Sequence, residues 1–339
     1  MISRKCNCIT DFPIAQSAIF SMGTVITSQL FGNHAAAALS AAESKIRQIN
    51  GRLSRFDNDS EISLLNRMAG IAPVCISEET FHLLKNAKAY TRMSEGLFDI
   101  TVGPLVSLWS TYRANRLFPV PEAVQEQLAY IDGRGIFLDE QNRMAALSRK
   151  GQMIDLGGIG KGYASDKISE MFRHCGIRSG YTDFGGNVAV IGTKPDGSDW
   201  KIGIRHPRKR DALIGVISIK DRSVVTSGDD QRYFCDHDGN RYHHILDPRT
   251  GYPSDSGLFS VTVIADSGEV ADALSTTLFI AGEDKSKEIL RHFTNVDAIY
   301  VRKDGSITLS PGAIGCFTVA DGITVVAYDA KRGVSNFNA

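Results

Sequence analysis

Hydrophobic positions along the chain fall into blocks of helical and of strand-like spacing. AIFSMGTVITSQLFG (18–32) is rich in β-branched and aromatic residues and reads as strand. HAAAALSAAESKIRQINGRLS (34–54) is made of good helix formers with apolar residues at helical spacing. SEETFHLLKNAKAYTRMS (77–94) predicts a second helix, opened by Ser77-x-x-Thr80, a weak start because the fourth position lacks Glu or Gln. VPEAVQEQLAYI (120–131) and KGYASDKISEMFRHCG (161–176) predict two more, the latter stopping at Gly176.

Beyond residue 176 the texture changes. GYTDFGGNVAVIG, WKIGIRHP, LIGVISIKDRSVVTSG and LFSVTVIADS read as short strands between turns. Helical spacing returns in EVADALSTTLFIAG (269–282) and SKEILRHF (286–293). DAIYVRKDGSITLSP carries a hairpin signal at Asp304-Gly305, and GCFTVADGITVVAYD is again strand-like. Blocks of this kind, without strict βα alternation, predict an α+β fold. The expected architecture is two interleaved lobes of mixed or antiparallel sheet and helices around one central cleft. No internal repeat or low-complexity linker divides the chain, so 18–330 is expected to form a single domain between an N-terminal segment (1–17) and a C-terminal tail (331–339).

Composition narrows the function. Lys+Arg and Asp+Glu both number 38 in 339 residues, which argues against nucleic acid as a partner, since no broad basic field is present. An anionic ligand must be held by a few aimed groups. Cys6 and Cys8 have no matching Cys/His pair at zinc-finger spacing, and all six cysteines read as free thiols. No run reaches the roughly 18 apolar residues of a membrane span. The first 20 residues lack the apolar core of a signal peptide, so a cytoplasmic protein is expected, or a periplasmic one if a leader precedes this sequence.

Several stretches could carry chemistry. DLGGIGKGYASD (155–166) is a Gly-rich turn entering a helix, a place where backbone N–H groups favour anions. It fits neither a P-loop nor G-x-G-x-x-G, and a plain strand–helix connection would look the same. TDFGGNV (182–188) reads as a strand ending in a Gly-Gly turn. In GLFDITVGPLVSLW (96–109) the lone acid Asp99 sits in an apolar stretch and needs a partner, as a cap, in a turn or at a site. Asp272 and Thr276 stand at i and i+4 on one helix face, hard oxygen donors suited to Mg²⁺, or simply hydrogen-bonded to their neighbours. In YHHILDPRTGYP (242–253) the adjacent His243 and His244 face opposite sides of an extended backbone, which leaves one free to act as a base. Asp247-Pro-Arg-Thr-Gly251 has the residues of a tight turn.

These blocks, in this order from about Met22 to Gly282, resemble the FAD:protein FMN transferase (ApbE) family. The resemblance rests on MGT (22–24), RLSRFDNDSEISLLN (52–66), GLFDITVGPLVSLW, DLGGIGKGYASD, TDFGGNV, WKIGIRHP, VVTSGDDQRYF (224–234), HHILDPRTG and ADALST (271–276). It implies an α+β enzyme that binds FAD with Mg²⁺ and moves FMN onto a Thr or Ser hydroxyl of an acceptor flavoprotein, releasing AMP. By the same resemblance Mg²⁺ would be held by the Gly158 carbonyl, Asp272 and Thr276. FAD would meet Met22, Phe56, Leu97, Phe98, Asp99, Asp155, Lys161 and Ile245, with His244 as the base. The acceptor would be a flavin-carrier domain of a redox protein. Many transferases of the family carry tyrosine where this chain has Phe56. Two other outcomes stay open at this point: hydrolysis of FAD to FMN and AMP, and FAD binding without turnover.

Overall fold

Residues on alternate sides of the central strands belong to different cores. Val225, Val261, Val263, Ala298 and Tyr300 pack with the long C-terminal helix, while their chain neighbours Val224, Ile264, Ile299 and Val301 pack on the opposite face. Strand periodicity of two therefore builds a sheet covered on both sides. A computed structural model of the protein describes residues 13–236, 239, 241–327 and 335–337. The large sheet has ten strands in the order Ile14–Ser21, Thr24–Phe31, Ser179–Phe184, Asn187–Ile191, Ser223–Gly228, Leu258–Ala265, Asp297–Arg302, Ile307–Leu309, Val325–Ala327 and Ser335–Phe337. All neighbours are antiparallel except Ile307–Leu309 with Val325–Ala327, which run parallel.

Among the described residues eight α-helices accompany it: α1 Ala35–Leu53, α2 Glu61–Arg67, α3 Glu78–Met93, α4 Gly103–Ala114, α5 Pro121–Leu128, α6 Gly160–His174, α7 Gly268–Leu290 and the short α8 Pro311–Ile314. Helices α1, α6 and α7 lie side by side across one face of the sheet. A small sheet of Trp200–Arg205, Leu213–Ile219 and Phe317–Val319 covers the other face near its middle. Helices α2–α5 and a second small sheet, Val74–Cys75, Ile136–Asp139 and Met144–Leu147, form the remaining lobe. One core running from Ile26 and Phe184 through Leu83, Phe98 and Ile154 joins this lobe to the helix layer. The α+β architecture and its interleaving are as expected.

Some elements differ from their sequence signals. The run 18–32 is a hairpin rather than one strand: Met22 and Gly23 (φ 51 and 73) make the two-residue turn that pairs Ser21 with Thr24. Its first strand begins at Ile14, and another strand, Ser335–Phe337, follows residue 330. The alternation of Ile14–Ser21 is muted because it is an edge strand with every second residue exposed. Cys6, Cys8 and most of both terminal segments lie outside the described residues. The apolar run after Asp99 contains α4, started by Pro104 in the first turn, and Ser60 caps α2 by accepting from Ser63 N. Ser77 does cap α3, accepting from Thr80 N even without a Glu at the fourth position. The two helical stretches expected around Gly282 meet there as parts of α7, with Gly282 at φ 74 marking the kink. Among the described residues no helix is long and apolar enough to cross a membrane.

Candidate active site

Between the helix layer and the α2–α5 lobe lies a cavity of about 530 Å³, well within the size of small-molecule sites. Met22, Phe56, Leu97, Phe98, Asp99, Asp155, Gly158, Lys161, His244, Ile245, Asp272 and Thr276 all line it. Twelve residues spread over some 250 positions of sequence thus converge on one cleft.

The helix wall comes first. Gly162, in the first turn of α6, lets that helix meet the start of α7, since a Cβ there would stand 2.1 Å from the Gly268 carbonyl oxygen. The close crossing allows Gly162 N–H to donate to Asp272 Oδ2 (2.8 Å). Asp272 Oδ1 is 3.7 Å from Lys161 Nζ, which also donates to the Gly157 carbonyl (3.1 Å). One turn along α7, Thr276 Oγ1 is 3.4 Å from Ser227 Oγ. Gly158 is adjacent: a Cβ on it would lie 3.5 Å from Thr276 Oγ1.

The loop wall holds the histidines, and the two differ as strand alternation predicts. His243 is buried, its Nε2 donating to the Ser254 carbonyl (2.9 Å) while Nδ1 accepts from Ile245 N–H (3.2 Å). Both ring nitrogens are used, and burial holds its pKa below the usual histidine value. His244 turns into the cleft. Its Nδ1 is 3.2 Å from the Gln231 carbonyl, an acceptor, so Nδ1 carries the proton and Nε2 keeps a free lone pair. Although the ring is open to the cavity, the surrounding walls desolvate it. That desolvation, with the nearby Arg232 and His243, pushes its pKa down to about 4. His244 is therefore neutral near pH 7.

The turn after it is tied at every point. Asp247 accepts from Arg249 N (2.9 Å), Nε (3.0 Å) and Nη2 (2.6 Å), and Gly251 N–H donates to the Asp247 carbonyl (2.8 Å). Trp109 of α4 donates its indole N–H to the Gly251 carbonyl (2.7 Å). Gly251 has φ 78, and a Cβ there would strike Val124, so the position requires glycine twice over.

Two acids behave less openly than their sequence suggests. Asp99 Oδ1 accepts from Thr101 N (2.8 Å) and Oγ1 (2.6 Å), and Oδ2 accepts from Gly133 N (2.8 Å), so its carboxylate already serves a turn. Asp155 Oδ2 is 2.6 Å from Arg55 Nε, and Oδ1 accepts from Gly157 N–H (2.7 Å), which shapes the Gly-rich turn. Phe56, 80% exposed, lies at the cleft with the Arg55 guanidinium 4.5 Å from its ring centre.

The family model described as ApbE family matches residues 22–300. The chain belongs to the ApbE family. A FAD:protein FMN transferase of Klebsiella pneumoniae (strain 342) is 36% identical over 290 residues, covering 85% of this chain and 89% of that protein. One of Treponema pallidum (strain Nichols) is 34% identical over 320 residues, 88% of each. Among solved structures, the ApbE protein of Thermotoga maritima aligns at TM-score 0.81 and 34% identity over 88% of this chain and 98% of its own. The flavin transferase ApbE of Vibrio cholerae aligns at 0.79 and 25%, covering 90% and 100%.

Within this ApbE fold, several cleft residues went unmarked in the sequence. Arg55, Trp109, Gln231 and Arg232 all line the cavity. Arg232 (φ 49) donates to the Gly23 carbonyl (3.2 Å), joining the loop wall to the hairpin tip. Only Arg55 carried a sequence signal, a cation beside the exposed ring of Phe56.

Proposed function

We propose that this chain is a FAD:protein FMN transferase and that the cleft holds FAD while His244 activates a Thr or Ser hydroxyl of an acceptor flavoprotein. The observation that carries this is the free Nε2 of a neutral histidine facing the same cleft as Lys161, Asp272 and Thr276. The acceptor hydroxyl oxygen forms a bond to the FMN phosphorus, and the bond from that phosphorus to the bridging oxygen breaks. The bridging oxygen and its electron pair leave on AMP, and the hydroxyl proton passes to His244 Nε2. A pKa of about 4 makes a weak base. The negative charge of a bound pyrophosphate raises it towards the working range.

The residues fit Mg²⁺. Gly158, Asp272 and Thr276 offer oxygen alone, and the Lys161 ammonium 3.7 Å from Asp272 supports a carboxylate that faces positive charge. Among the described residues no group of three or more His, Cys, Asp or Glu is placed to hold a metal, so an ion here would need further oxygens from substrate phosphates. When bound, Mg²⁺ would neutralise phosphate charge. Lys161 also supplies positive charge in the cleft, and Phe56 offers an aromatic face to a flat ring. The acceptor is a flavin-carrier domain of a redox protein.

Intact-mass spectrometry of such an acceptor after incubation with the protein, FAD and Mg²⁺, with AMP measured in parallel, tests this reading. The expected result is one added FMN per AMP released. Release of AMP with several unmodified acceptors would mean hydrolysis, and no AMP would mean binding without turnover.

A further inference from the structure

Asn187 has no role in the chemistry above, yet it occupies an unusual place. Several buried polar side-chain atoms among the described residues lack a hydrogen-bond partner, and of their residues only Arg55 and Asn187 line the cleft. Arg55 is held by Asp155. Asn187 is 1% exposed, and both its Nδ2 and its Oδ1 are unpartnered. A carboxamide left this way burdens the folded protein unless something in the cavity completes it. Because neither end is paired, the conclusion is the same whichever way the amide is turned.

Both amide atoms are covered as the side chain stands, so pairing with a ligand requires a shift of the amide towards the cleft, and its setting shows on which side. Asn187 opens the strand Asn187–Ile191, directly after Gly185 and Gly186, which have φ 68 and 97 and line the cleft without side chains. Across the sheet its partner is Val225, whose side chain packs against the α7 core. Paired residues of antiparallel strands share a face, so the amide lies on the side of Asp272 and Thr276. A phosphate oxygen would accept from the Asn187 NH₂ group and leave Oδ1 bare. A single hydroxyl would likewise leave part of the amide unpaired. A flat ring edge with a donor beside an acceptor satisfies both at once, the pairing by which asparagine reads adenine.

We propose that Asn187 is a specificity-determining residue of the cleft, its carboxamide pairing edge-on with a nitrogen heterocycle of FAD. The proposal rests on FAD as the substrate. Two rings of FAD have such an edge, the pyrimidinedione of the flavin and the amino-bearing side of adenine.

The test is titration calorimetry of the full chain with FAD, FMN and AMP, for the wild type, Asn187→Leu and Asn187→Ala, with thermal melting of each ligand-free protein. Leucine matches the volume without polar atoms, and alanine carries the test should leucine fail to pack. FAD affinity is expected to fall about 5- to 150-fold, the span of a good bidentate pair. The melting temperature of Asn187→Leu should hold or rise, because an unpaired amide has been removed. A loss repeated with FMN assigns the flavin ring; a loss repeated with AMP assigns adenine. Unchanged affinities together with a lower melting temperature would make Asn187 structural and overturn the assignment, as would a loss for FAD shared by neither half. A wild type that binds no FAD would remove the functional reading, and this assignment with it.

Discussion

The two walls of the cleft are held in different ways. On one side α6 and α7 are locked by packing: Gly162 meets Gly268 closely, and Asp166 accepts from Ser267 Oγ (2.6 Å), Gly268 N (2.6 Å) and Glu269 N (2.9 Å) at the start of α7. Asp272, 3% exposed, projects from that rigid crossing. On the other side His244 is positioned by one hydrogen bond to a loop carbonyl and by a turn that follows it. Lys161 and Asp272, proposed to present fixed charge, sit on helices, where a shift would cost core packing. His244, proposed to take up the proton, sits on a loop that leaves one ring nitrogen unengaged.

Breaking the helix wall should have the largest effect. Gly162→Val places atoms inside the Gly268 carbonyl and Asp272, so the helices cannot seat. Circular dichroism and denaturation should find little or no folded protein. Breaking the loop wall should leave the fold and remove the chemistry. His244→Ala is expected to lower FMN transfer about 100- to 10,000-fold, with FAD binding kept and stability changed by no more than about 0.5 kcal/mol at pH 7. The same variant has a pH signature. As pH falls from 6.5 towards 4, the unfolded chain takes up a proton that the folded His244 ring refuses, so stability falls through this window. His243, also held low by burial, adds to that slope, and His244→Ala should flatten it only in part. Denaturation midpoints from pH 7 to 4 measure both.

A milder break separates position from chemistry. Asp247→Ala removes the acceptor of Arg249 N, Nε and Nη2. A stability loss of about 1–2 kcal/mol is expected, with a smaller drop in turnover than for His244→Ala. Equal losses of turnover would mean that Asp247 takes part in the chemistry itself. The smallest effect sharpens the functional comparison. Phe56→Tyr, at a site 80% exposed, should leave stability within about 0.5 kcal/mol and add a hydroxyl to the ring at the cleft. AMP released without acceptor, against FMN transferred with it, measures any change in the partition.

Local patterns made much of this visible before the fold was known. Asp272 and Thr276 one helical turn apart, and His243 and His244 on opposite sides of the chain, follow from backbone geometry alone. So does the Gly-Gly turn between Phe184 and Asn187. Long-range pairings were not visible. The Arg55–Asp155 pair joins residues 100 positions apart, and Asp99 meets Gly133 through the packing of two segments, not through its own neighbourhood. Helix α4 was masked because its apolar residues follow a Gly-Pro start in a run that also suits a strand. Asn187 gave no signal because its interest lies in what it does not touch.

The cleft also bears on how the protein comes into being. Its lining runs from Met22 at a hairpin tip to Ile280 in α7, and the central sheet pairs Thr24–Phe31 with the distant Ser179–Phe184. No contiguous part of the chain contains the cavity, so it closes only when the distant segments have paired. Such non-local closure makes folding slow relative to helical proteins of similar stability. A ligand recognising only the closed cleft draws that equilibrium forward by mass action. FAD would then act as a conformational ligand as well as a reactant, and its capture would report that the chain has folded to the end.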